Sequence, residues 1–155
     1  MSLTALEKEL KDAEQGASFA AQEDATNAVT ARASIAWGLG DHLNAIHRID
    51  RELVQLAELG SGPSVDQVRQ PRLAIRSQSV TAVRGLAVQL AAVPAPFLDE
   101  CLHNAAVAIH EYFAGSLGPL FGAAVSARVA WLRKLMAGAV DLEAPLDLHR
   151  APIEN

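Results

Sequence analysis

The chain has 155 residues and a net charge of −5, enough length for one domain with its own core and no global electrostatic reason to bind nucleic acid or an anionic membrane. Half of the residues are hydrophobic but only 5% are aromatic, and alternation of β-branched with polar residues is nearly absent, so no sheet is expected. Cys101 is the single cysteine, no run of about 18 apolar residues suggests a membrane span, and the acidic opening MSLTALEKELKDAEQG is unlike a signal or transit peptide, so a bacterial-type cytoplasm is the expected address.

Thr4 and Glu7 stand at capping-box spacing and start a helix that runs to about Gly16 with a mostly charged face. GASFAAQEDATN follows with weak patterning, and residues 1–24 read as an acidic N-terminal helical arm. A long second helix is expected from about Ala25 to Leu59. At about 100° per residue, Ile35, Leu39, Ile46, Ile49, Leu53 and Leu56 share one stripe, with His42 at its centre. His47 falls on the opposite side, beside Asp50 and Arg51, and is expected to be solvated. Gly38 and Gly40 interrupt this helix as candidate bend points, and GSGPS ends it through Gly60 and Pro63.

The third helix has two candidate starts, Ser64 and Pro71, and continues through TAVRGLAVQLAAV to Pro94 and Pro96. A fourth runs from about Pro96 to Ala114, GSLGP turns the chain, and a fifth runs from Pro119 to about Val140. The tail, 141–155, has two prolines and no periodicity. These elements predict an all-α protein: an antiparallel bundle of four main helices over residues 25–140, with the N-terminal helical extension before it and the irregular tail after it. The second helix is longer than its partners, and a second copy of the chain is the expected cover for the stripe it leaves over. Leu53 and Leu56 would lie in that interface, and Trp37, opposite the stripe, is exposed or meets another partner.

Two clusters could carry chemistry. Glu100 and His103 stand one helical turn apart, His110 follows on the same helix, and with His42 they form a candidate metal site. Ferritin-like carboxylate proteins use two Glu-x-x-His pairs, and this chain has one. His103 and His110 are also about 10 Å apart along the helix axis, too far to share one small ion readily. The preferred expectation is therefore a buried polar cluster of His42, Glu100 and His103, with no cofactor. The second cluster is a row of arginines, Arg69, Arg72, Arg76 and Arg84, in a stretch free of acids between Asp66 and Asp99. Such a row suits phosphate or carboxylate groups and is the candidate contact of an anion or of a nucleic-acid backbone, the alternative reading being a nucleic-acid-binding regulator, but ten acidic residues against five basic ones through Glu58 offer it partners within the chain.

The stretch LNAIHRIDRELVQLAELG resembles the opening helix of the all-helical chorismate mutases, sharing the seam of Ile46, Ile49, Asp50 and Leu53. Asn44 and Leu59 stand where that family places substrate-binding arginines, so the resemblance implies no site for a dianionic substrate here. GLAVQLAAVPAPFLDE is similar to the helix-turn-helix of phage-type repressors through Leu86, Ala87 and Val93. Its second helix carries Asp99 and Glu100 and no nearby base, which opposes a phosphate-lined groove. There is no glycine-rich phosphate loop, His-Glu-x-x-His helix or Gly-x-Ser-x-Gly elbow, and Cys101 beside Glu100 in an apolar helix is poorly placed to become a thiolate. A non-catalytic interaction or adaptor module is the resulting expectation: a homodimer with a further protein partner.

Overall fold

The computed structural model describes residues 3–111 and 121–148. Among them the protein is all-helical, with α1 (Leu3–Glu58), α2 (Pro63–Ala91), α3 (Ala95–Glu111) and α4 (Phe121–Met136) and no strand. The chain divides into two compact units, Met1–Ala33 and Ser34–Asn155. The expected ends of the fourth and fifth helices at Ala114 and Pro119, the GSLGP turn between them and His149 lie outside the described residues.

The weakly patterned segment after Gly16 is helical rather than a break, so α1 is continuous where two helices were expected. Four of the twelve residues from Gly16 to Asn27 are alanine, the best helix former, and none is proline, so the roughly 1 kcal/mol cost of one interior glycine does not break the helix. The helix also continues through Gly38 and Gly40. At Gly40 α1 lies tight against α3: a Cβ added there would sit 2.6 Å from the Cβ of Ala108 and 3.3 Å from its carbonyl carbon. Close packing of two backbones therefore accounts for that glycine.

α2 begins at Pro63, before either expected start. Gly62 occupies the N-cap without a side-chain bond, while Pro63 presets φ and has no N–H to leave unsatisfied. Pro71 lies inside the helix and cannot donate to the carbonyl of Gln67. Both residues are exposed, so water can take that carbonyl, and the next turn is reinforced by Arg72 Nη1 donating to Val68 O at 3.1 Å. α4 ends at Met136, short of the expected Val140, because Gly138 adopts φ 73°. Ala139 N–H donates to Lys134 O at 2.9 Å and Gly138 N–H to Leu135 O at 3.1 Å, the paired bonds of a Schellman cap.

The core lies in the second unit, where α4 packs against α2 and α3. Leu39, Leu43, Ile46, Leu90, Leu102, Ile109 and Leu132 are fully buried. On α2 the buried positions are Arg76, Ser79, Val80, Val83, Ala87 and Leu90, the spacing of a single helical face. Residues 137–148, which follow α4, are non-helical, and the segment they form is docked: Leu142, Leu146 and Leu148 are 3%, 6% and 0% exposed.

Candidate interaction surface

The buried arc of α1 is not centred on His42. With Leu39 as zero, Asp50 falls near 20°, Leu43 near 40° and His47 near 80°, whereas His42 falls near −60°. Asp50 and His47 are accordingly 4% and 7% exposed, and His42 is half-buried. The expectation that His47 is solvated is corrected: the wide apolar arc, which includes Ala36 and Leu43, carries it inside.

Burial of these polar groups is matched by partners. Arg76 grips Asp50 with two parallel bonds, Nε to Oδ1 at 2.7 Å and Nη2 to Oδ2 at 3.1 Å. The carboxylate also accepts Leu146 N–H at 2.7 Å, and Arg76 Nη2 donates to Ala144 O at 2.9 Å. His47 Nδ1 accepts Leu148 N–H at 3.0 Å, which fixes the proton of the neutral ring on Nε2. Arg51 and Asp147 form a longer pair at 3.4 Å at the edge of this network. Residues 141–148 are thus a strap whose leucines enter the core and whose backbone is bonded to α1 and α2. Arg128 approaches the same end of the strap, its Nη2 3.4 Å from Leu148 O, and burial lowers its pKa.

The arginine row resolves into separate pairs. Arg72 meets Glu52 at 2.9 Å and Arg76 meets Asp50, both acids of the first third of the chain, while Arg84 meets Glu143 of the strap at 3.0 Å. Arg69 is exposed and forms no ion pair among the described residues.

The expected cluster of His42, Glu100 and His103 is not buried. Glu100 and His103 are exposed on α3, whose buried residues among those described are Cys101, Leu102, Ala105, Ala106, Ala108 and Ile109. Neighbouring Asp99 pairs with Arg133 of α4. The His110 side chain lies outside the described residues, and among those described no group of three or more His, Cys, Asp or Glu could hold a metal ion.

The Asp50–Arg76 pair also marks where the core stops. On α1 no residue after Asp50 is buried, and on α2 none before Arg76. Beyond the pair, Leu53, Leu56, Ala57, Val65 and Arg69 line an open cleft of about 390 Å³ between the two helices. A second cleft of about 320 Å³ continues from Leu53 and Arg69 along Leu73 to Glu143 and Pro145 of the strap. Val54, Leu59 and Val68 around them are 47%, 82% and 44% exposed. Trp37, on the far side of α1 from the core, is 53% exposed. The sequence placed Leu53, Leu56 and Trp37 outside a complete core. It gave no local sign of the Asp50–Arg76 pair, whose members are 26 positions apart.

Set beside known protein families, characterised proteins and solved structures, the chain matches none. No described helix is long and apolar enough to cross a membrane.

Proposed function

We propose that the protein is a non-catalytic interaction or adaptor module of the bacterial cytoplasm, an antiparallel bundle of four main helices that works as a homodimer. The observation that carries the reading is the apolar tip of the α1–α2 hairpin beyond the Asp50–Arg76 pair. Leu53, Leu56, Val65 and Leu73 are half-buried there, with Val54, Leu59, Val68 and Ile75 exposed around them. Apolar side chains gathered at one end of a helical pair gain by association, at roughly 25 cal/mol per Å² of apolar surface removed from water. A second copy of the same tip is a self-complementary cover, as two-fold dimers require. Leu53→Asp with Leu56→Asp puts two carboxylates into that contact and is expected to convert a dimer to a monomer with an unchanged far-ultraviolet helix signal. Light scattering at tens of micromolar is the measurement, and a monomeric unsubstituted protein overturns the homodimer.

A further inference from the structure

The first unit carries a second apolar row with a different period. In the sequence Leu3, Leu6, Leu10, Ala13, Ala17 and Ala20 recur at alternating intervals of three and four, the a and d positions of a heptad. The backbone is helical throughout this stretch, and residues 4–16 are all exposed, Leu6 at 49% and Leu10 at 62%. The flanks of the row are uniform in sign. Glu7 and Glu14 occupy e positions and Glu9 a g position, while Lys8 and Lys11 fall at f and b, away from the seam.

That arrangement decides what can cover the row. In a parallel pair of these arms g meets the following e, which sets Glu9 against Glu14. In an antiparallel pair e meets e and g meets g, which again sets acid against acid. Like charges at these positions oppose self-pairing, whereas a basic flank on the other helix satisfies all three glutamates. We propose that the N-terminal arm is a coiled-coil docking surface for an amphipathic helix of another protein, apolar at a and d and lysine- or arginine-bearing at e and g. This deepens the adaptor reading and rests on it for the existence of a protein partner, but uses a surface separate from the α1–α2 tip.

Two synthetic three-heptad peptides test it, identical with leucine at a and d and differing only in lysine or glutamate at e and g. Fluorescence anisotropy against the full chain is expected to show the lysine peptide binding at least about tenfold tighter, with affinity falling as salt rises from about 50 to about 500 mM. Leu6→Asp with Leu10→Asp is expected to abolish binding. Glu7→Lys, Glu9→Lys and Glu14→Lys together keep the apolar row and are expected to transfer the preference to the glutamate peptide, which guards against simple unfolding of the arm. Equal binding of both peptides, binding of neither, or a preference that survives the charge reversal overturns the proposal. Light scattering on the same samples separates it from the homodimer: a monomer that binds the lysine peptide refutes only the dimer, and a dimer that ignores both peptides refutes only the docking surface.

Discussion

Removing the Asp50 carboxylate is the sharpest perturbation of the second unit. Its side chain is 5% exposed and that of Arg76 is 10%, so Asp50→Ala strands a guanidinium out of water together with the N–H of Leu146. Breaking a buried pair from one side costs about 3–5 kcal/mol, and an orphaned buried N–H about 1–3 kcal/mol in isolation. These overlap, because the freed Arg76 can still donate to Ala144 O, so the expected loss is about 3–5 kcal/mol in all. Against a total stability of about 5–15 kcal/mol this is a large fraction. Urea unfolding followed by fluorescence of Trp131, itself 2% exposed, reports the transition of this unit. The same measurement on Arg76→Met and on the doubly substituted protein closes a cycle. The double is expected to lose about 2 kcal/mol or more less than the sum of the singles, since it leaves no lone buried charge. Amide exchange supplies an independent reading: Asp50→Ala is expected to deprotect Leu146 before the helices open. A loss below about 1 kcal/mol for Asp50→Ala, or strict additivity in the cycle, would refute the view that this pair anchors the strap.

Three further outcomes follow from the same geometry. Gly40→Ala is expected to cost about 1–3 kcal/mol by forcing α1 from α3 at Ala108, whereas Gly85→Ala, with nothing within 4 Å of the new Cβ, is expected to gain up to about 1 kcal/mol; urea midpoints compare the two. His47→Ala is expected to cost about 1–3 kcal/mol by orphaning Leu148 N–H, while His103→Ala, exposed on α3, stays within about 0.5 kcal/mol of the parent in the same assay. A chelator is expected to leave the melting temperature unchanged; a chelator-sensitive melt with metal retained through gel filtration would return His42, Glu100, His103 and His110 to the centre of the function.

The parts of the fold that were legible in the sequence are those whose cause is local. The 3.6-residue period gave the helices, and Gly60, Pro63, Pro94 and Pro96 gave their breaks to within a few residues. Gly138 lies inside the helix as it was expected, up to Val140, and its left-handed conformation is what stops α4 at Met136. The polar interior was not legible, because its causes are distant. A stripe drawn through Ile35, Ile46, Ile49 and Leu53 points at His42. Adding Ala36, Gly40 and Leu43 swings the centre of the arc by about half a right angle, to within about 20° of Asp50, and brings His47 inside it. Nothing within a turn of Asp50 says that it is buried. That depends on Arg76 from α2, 26 positions away, and on the strap, whose Leu146 amide is 96 positions away. The leucines at 142, 146 and 148 in an otherwise polar, proline-containing tail were the available sign that this segment docks. Once it docks, an aspartate at the middle of an apolar face requires a cation opposite it, and Arg76 is the arginine of the row that lies on the buried face of α2. The arginines of the row therefore differ in role. Arg76 is structural because it is buried against Asp50, Arg72 and Arg84 are neutralised at the surface by Glu52 and Glu143, and Arg69 is left without an ion pair among the described residues, lining the open cleft beside Leu53 and Leu56.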